Sequence, residues 1–423
     1  MNPPPLHASR TAARDPAGLD DERQVLQIRF TGQGHDYFWI WAGNLLRLVA
    51  TLGLYYPFAK ARRLRYFHAH TLVDGHALGY HGSQRMAWRA GAALPALVFG
   101  WVLALVLISA LHEASAGQWP PAASVVAAVL LVMLWPALWR ATLRDRLANT
   151  SWRGQCLRFT GDMAGAYRAL LPQWLPAAVL LVLSLMPAAN TQQGAAAVRG
   201  VFGLTGLAML LMLPLTLARR QRYQHGHCQF AAEHSRMRAP TGAFYRLVLG
   251  LVLAGLGVLG LLAVLLVLLG ASAPASLGWR GWPGAAVPAA TGGGLVNPLA
   301  VVGCGCLLLA AVLVAVLAFG QASLQNLVWG HTRSSRMRLD SHLEPWRLVV
   351  MALRHAALML LTLGFYRPFA VVHSTRLRLQ AMQMVVRGDP AQWLGGPSRL
   401  VPDQRGGVRA ETVAGTGGEN SGH

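Results

Sequence analysis

Residues 247–271 read LVLGLVLAGLGVLGLLAVLLVLLGA, 25 consecutive positions without a polar side chain. A helix of about 20 such residues crosses the hydrocarbon core of a bilayer. Five more blocks have this character, at 90–111, 122–139, 170–189, 200–218 and 298–320, and none holds Asp, Glu, Lys or Arg at its centre. With 54% hydrophobic and 13% charged residues over 423 positions, the chain falls far from the roughly 25% charged residues of soluble domains. The fold class expected from these blocks is an all-α polytopic membrane bundle.

Two other apolar stretches, 38–56 and 346–366, differ from the six. The first carries Asn44 and Arg47, the second Arg354 and His355. Acidic residues are absent from every span, which weighs against proton- or sodium-coupled pumping, because coupled transporters place ionisable groups at membrane depth. Asn44, Arg47, Arg354 and His355 are therefore the candidate intramembrane polar site, expected either to receive an anion or lipid headgroup or to snorkel to the interface.

The charge balance of 37 basic against 16 acidic residues gives +21. Lys60 is the only lysine, and biased coding composition accounts for the arginine excess. The basic residues gather in the segments 57–89, 140–168, 219–246 and 321–347, whereas 112–121 has none and 190–199 and 272–297 have one each. Basic loops stay cytoplasmic, so the net charge reports orientation, and no nucleic-acid partner is expected. Trp88, Trp119, Trp139, Trp174, Trp329 and Trp346 fall near the ends of apolar stretches, where amphipathic rings suit the headgroups.

Repeats divide the chain into duplicated units. TLGLYYPFA at 51–59 returns as TLGFYRPFA at 362–370, with Thr51, Gly53, Tyr55 and Pro57 matching Thr362, Gly364, Tyr366 and Pro368. RFTG occurs at 29–32 and 158–161, and a Thr-x-x-x-Gly pattern links Thr71 and Gly75 with Thr150 and Gly154. Each TLG motif can turn the chain, glycine tolerating unusual dihedrals and proline opening a new helix. In the helix expected after the first turn, Lys60, Arg62, Arg63 and Arg65 form an interfacial basic set.

Strict alternation marks Leu26, Ile28 and Phe30, Leu157 and Phe159, Leu78 and Tyr80, Cys228 and Phe230, and Met337 and Leu339 as strand positions. Strands so short need partners, so a small cytoplasmic β-layer is expected. If the stretch 38–56 crossed fully, the strand at 26–31 would lie opposite the others. Six full spans plus two re-entrant hairpins therefore fit the charges better than eight spans, the competing count.

These residues resemble the YjgN-like family of bacterial inner-membrane proteins, catalogued as a domain of unknown function. The resemblance lies in FTGQGHDYF at 30–38, TLGLYYPFAKARRLRYFHAHT at 51–71, NTSWRGQCLRFTG at 149–161, NLVWGHTRSSRMRLDSH at 326–342 and the second TLG motif, and covers about 26–385. It implies a multi-pass inner-membrane location and brings no activity or catalytic residues. The chain departs from the pattern in the Val-Val-His at 371–373 and in a long Gly/Pro-rich loop at 272–297.

The expected organisation is a disordered tail at 1–22, a membrane domain at 23–387 and a second disordered tail at 388–423. The N-terminus has no apolar core of a cleavable signal. Four cysteines, Cys156, Cys228, Cys304 and Cys306, make no disulfide framework. The histidines at 68, 70, 76 and 81, and at 225, 227 and 234 beside Cys228, match no zinc spacing, so neither metal nor cofactor is expected. No nucleophile elbow or phosphate-binding loop appears, and no enzymatic activity is expected. Two functions follow: a transporter or channel for an anionic or amphipathic solute, or a non-transporting scaffold that interacts with membrane lipids. Protein partners and oligomeric state have no sequence signal.

Overall fold

The computed structural model describes residues 23–82, 122–184, 192–270, 298–388, 398–402 and 408–412. The expected span at 90–111, the tail at 1–22 and the loop at 272–297 lie outside them. The chain enters through strand β1 (Arg23–Phe30) and rises through α1 (Gly34–Ala50) to the first TLG turn. It returns through α2 (Tyr56–Ala69) to β2 (Thr71–Val73), β3 (His76–Ala77) and β4 (Gly79–Tyr80). After α3 (Ala122–Ala148) come β5 (Thr150–Trp152) and β6 (Gln155–Phe159), then α4 (Met163–Ser184) and α5 (Gln192–Gly226). Next are β7 (Cys228–Phe230), β8 (Glu233–His234), β9 (Arg236–Met237), α6 (Thr241–Gly270) and α7 (Pro298–Gly330). The chain continues with β10 (Thr332–Arg333), β11 (Met337–Ser341), α8 (Pro345–Leu361), α9 (Arg367–Gln380) and β12 (Met382–Arg387). In the stretch expected as the second tail, β13 (Ser398–Pro402) and β14 (Val408–Thr412) pair as a hairpin.

Three segments among the described residues are long and apolar enough to cross a membrane: Arg199–Gly226 in α5, Thr241–Leu261 in α6 and Gly303–Gly330 in α7. Only 6% of the apolar window of α6 and of α7 is buried within the protein. A helix apolar on all sides and left uncovered by its own chain belongs in lipid, which associates this protein with a membrane.

The expectation of a helical bundle with a small β-layer is met in its helices, and the β part is larger than expected. The fold is mostly helical, yet the strands build a seven-stranded antiparallel sheet, order β3-β2-β1-β12-β11-β10-β9, and a five-stranded one, order β4-β5-β6-β7-β8. Each expected alternating segment takes part. The two sheets share two bent strands. Leu78 separates β3 from β4 and Ser235 separates β8 from β9, so that one stretch of chain pairs with the first sheet at one end and the second at the other. Bends of this kind make the corners of sheet packings. Leu78 N donates to Thr71 O at 3.0 Å and Ser235 N to Cys228 O at 2.8 Å, holding both corners.

Between the sheets lies a core of Leu26, Ile28, Val73, Trp152, Met382 and Val386. Trp152 reaches across from the second sheet: its indole N–H donates to Val73 O at 3.2 Å and its ring lies 5.6 Å from that of Phe230. The Thr-x-x-x-Gly repeat is the turn of a two-residue hairpin in both copies, with Asp74 (φ 51°) and Gly75 (φ 74°) matching Arg153 (φ 49°) and Gly154 (φ 81°). Positive φ at both central residues is the hairpin turn that matches strand twist. The two turns meet, Arg153 Nη2 lying 2.6 Å from Asp74 Oδ2.

Candidate membrane-facing site: two helical hairpins

Each TLG turn ends one helix and starts another. At the first, Gly53 N donates to Leu48 O at 2.8 Å and Leu52 N to Val49 O at 3.1 Å; at the second, Gly364 N donates to Met359 O at 2.7 Å and Leu363 N to Leu360 O at 3.3 Å. Paired six-to-one and five-to-two bonds of this kind are the Schellman helix end, whose left-handed residue is usually glycine. Here leucine takes that place, with Leu52 and Leu363 both at φ 50° and the glycines following at φ 92° and 91°.

The threonine does the rest. Thr51 Oγ1 donates to Arg47 O at 2.7 Å and accepts from Tyr55 N at 3.0 Å, while Thr362 Oγ1 donates to Leu358 O at 2.7 Å and accepts from Tyr366 N at 3.0 Å. Pro57 and Pro368 are buried in the first turns of α2 and α9, where a missing N–H costs no helical bond.

The tips are apolar and bare. Leu52 is 95% exposed and Leu363 89%, and Leu46, Val49, Leu54, Leu360, Leu361 and Phe365 are also exposed. A left-handed backbone costs about 1–2 kcal/mol for a residue with a Cβ. Moving an exposed leucine out of water gains about 1.5–3 kcal/mol, so lipid around the tip would offset the strain and water would not.

The hairpin bases return to one sheet. The first hairpin is flanked by β1 and β2, which pair through Ile28↔Val73, Arg29↔Leu72 and Phe30↔Thr71. The second is flanked by β11 and β12, paired from Met337↔Val386 to Ser341↔Met382. Since β1 also pairs with β12, all four strands lie together. The strand at 26–31 is thus on the same side as the others. A cluster of Phe30, Tyr37, Tyr66 and Val372 seats α1, α2 and α9 over the sheet. Tyr66 Oη donates to Gln33 O at 2.8 Å and accepts from Gln33 N at 3.0 Å, pinning α2 to the entry of α1.

The four candidate polar residues divide in two. Asn44 and His355 occupy equivalent positions of the two units and are buried; Arg47 and Arg354 are not equivalent and both are exposed. Asn44 Oδ1 has no hydrogen-bond partner among the described residues. His355 packs against Tyr366 and stacks on His373, ring centroids 5.7 Å away in each case. Arg47 lies over the Tyr55 ring at 5.7 Å. What His373, Tyr37 and Tyr66 pack against carries no signal in the sequence, since their partners arrive from other helices. Lys60, Arg62, Arg63 and Arg65 are all exposed on α2, with Arg63 over the Phe67 ring at 5.7 Å.

Beside α2 a cleft of about 640 Å³ runs from Tyr56 at the tip to Tyr80 at the sheet, with Lys60 and Arg146 over walls that include Leu64 and Leu143. Burial raises the Asp145 carboxyl, with Arg144 opposing, and burial lowers His68. Cationic groups over an apolar groove suit an anionic amphiphile.

The histidine clusters are tied into backbone. His68, His70 and His76 each set Nδ1 against a carbonyl within 2.8 Å, and Cys228 Sγ donates to Gln224 O at 3.2 Å, its thiol pushed up to about 11 by burial. Among the described residues no three His, Cys, Asp or Glu side chains come together to hold a metal.

A family model described as "Bacterial protein of unknown function (DUF898)" matches residues 25–404. No curated protein and no solved structure matches the chain. With nearly its whole length matched, the chain belongs to this DUF898 family of bacterial proteins, in which the YjgN-like proteins fall.

Proposed function

We propose that this is a multi-pass protein of the bacterial inner membrane whose two hairpins dip into the cytoplasmic leaflet and hold lipid there, a non-transporting scaffold rather than an enzyme or a conduit. The observation that carries this reading is the pair of bare leucines, Leu52 and Leu363, held in left-handed backbone at the tips of hairpins whose bases share one sheet. Six spans with two re-entrant hairpins agree with it, because each hairpin leaves the lipid on the side it entered.

Depth also supports it. Leu348 and Val349 of α8 pack with Ala318 and Ala322 of α7. From there α8 continues to Leu361, about a dozen residues or roughly 18 Å at 1.5 Å per residue. That reaches about halfway along the apolar part of α7 and stops inside a core about 30 Å thick. The exposed Arg47 and Arg354 fit snorkelling better than a shared anion site, and the cleft beside α2 gives a lipid phosphate cationic company.

Photo-crosslinking tests the reading. A photoreactive side chain at position 52 or 363 should yield phospholipid adducts in native membranes, and one at Val385 on the sheet should not. Adducts with water or soluble protein alone at both tips would overturn it. Passage of an anionic or amphipathic solute is the second reading, drawing on the unpartnered buried Asn44 Oδ1. It requires liposome flux that falls in the Arg47→Ala, Arg354→Ala double variant.

A further inference from the structure

Strand register sets arginines side by side on the outer face of the seven-stranded sheet. Arg236 pairs with Arg333 and Arg333 with Arg338, so three guanidinium side chains stand in one row across β9, β10 and β11. The row continues through Val385 of β12 to Val25 of β1. In the next row Arg23 pairs with Arg387, whose N–H donates to Arg336 O at 2.9 Å. All six arginines are exposed. Like charges directly opposite on neighbouring strands destabilise a sheet. Two acids answer them: Asp340 at 2.9 Å from Arg338 and Glu233 at 3.7 Å from Arg336.

The place of these rows says what they meet. β1 leads into α1 at Phe30 and β12 leaves α9 at Met382, so Arg23 and Arg387 stand at the ends away from the membrane helices. Seven strand residues put Arg23 about 23 Å from α1, and ten helical residues, about 15 Å, separate Gly320, where the apolar block of α7 ends, from the helix end before Arg333, both beyond the roughly 8–10 Å over which salt leaves charges in contact. The protein's own bilayer is therefore not the ligand. No aromatic side chain lies on the outward positions of β1, β9, β10, β11 or β12, so the stacking platform that single-stranded nucleic acid uses is missing. Instead Val25, 57% exposed, and Val385 extend the arginine row as an apolar strip. Arginine beside apolar surface is the composition of protein interfaces, and its planar fork receives carboxylates two bonds at a time.

We propose that this face docks an acidic, partly apolar protein segment, its carboxylates taken by the Arg236, Arg333 and Arg338 row and its apolar side chains by Val25 and Val385. The inference is independent of lipid contact at the hairpin tips.

The test uses the full chain in nanodiscs of zwitterionic phosphatidylcholine, with fluorescein-labelled poly-glutamate as probe. The probe binds, and the Arg236→Gln, Arg333→Gln, Arg338→Gln variant weakens it at least tenfold, while Arg158→Gln, Arg168→Gln, Arg246→Gln, an equal loss of charge elsewhere, changes it less than twofold. Relief of cross-strand repulsion raises the Tm of the row variant. Absence of probe binding at low salt, equal weakening by both variants, or a lower Tm in the row variant overturns the proposal. So does poly-uridine RNA bound through the row more tightly than poly-glutamate, which would make the face a nucleic-acid site.

Discussion

The two hairpins share a tip and differ in their stems. At the tip every bond repeats: threonine to carbonyl, tyrosine N–H to threonine, glycine N–H to the carbonyl five residues back. In the stems the equivalent positions hold unlike residues, Asn44 against His355 and Tyr37 against Leu348. The neighbours differ too, since α1 leans on α9 through Phe38 and Phe369, rings 5.9 Å apart, while α8 leans on α7 through Leu348 and Val349. Stems answer to whichever helix lies beside them. The tips are held by bonds within their own motif, with Trp41 of α1 meeting the second at Phe365, rings 6.3 Å apart, and there the two units agree to about 0.1 Å in their threonine bonds.

The largest expected difference between the units sits at the buried pair. His355→Ala removes a ring packed between Tyr366 and His373 and should cost about 2–3 kcal/mol. Asn44→Leu removes a buried oxygen that has no partner among the described residues and should cost less than about 1 kcal/mol or stabilise. Detergent unfolding of both variants measures the asymmetry, and equal losses would mean the stems are more alike than their packing implies.

Thr51→Val and Thr362→Val each delete a donated and an accepted bond. Each should cost about 1–2 kcal/mol, and the two should agree. A cost at one tip alone would break the equivalence. Leu52→Gly and Leu363→Gly act the other way, relieving the left-handed strain and so stabilising the detergent-solubilised protein by about 0.5–1 kcal/mol. The same variants should give fewer lipid adducts from a photoreactive group at position 54 or 365.

The smallest effect lies where β8 of the second sheet meets the β10–β11 turn of the sheet that both hairpins share. Burial pushes the Glu233 carboxyl up, but bonds from the Ser334 and Ser335 hydroxyls and the Arg336 N–H, with the Arg336 charge, leave it below the usual range. A carboxylate lowered in the folded state stabilises above its unfolded pKa of about 4.3, and that contribution is lost as pH falls through the folded value. Glu233→Gln should flatten the acid limb of a Tm-against-pH curve below that point and leave its shape above unchanged.

Much of this was legible in the sequence for identifiable reasons. The TLG motif repeats because its bonds are local, all within five residues, so a short string encodes the whole turn. Alternation at Leu26, Ile28 and Phe30 revealed β1 because one face packs on a core. Strands of two residues, such as β8, β9 and β10, are too short for any period, and their pairing is decided by distant chain. The size of the β component was therefore hidden, and only a small β-layer was expected. Likewise Asn44, Arg47, Arg354 and His355 stand out as polar letters in apolar text, but only the packing of α8 on α9 separates a buried His355 from an exposed Arg354.

Spin labels at Leu52→Cys and Leu363→Cys, in a variant lacking the four native cysteines and reconstituted in liposomes, test the central claim most directly. The account predicts both labels at similar depth near mid-bilayer, reached by oxygen and shielded from a water-soluble nickel relaxant. Labels at Gln27→Cys and Gln383→Cys should meet the nickel from one side of the membrane. Tips reached freely by the nickel, or the two sheet labels on opposite sides, would contradict it.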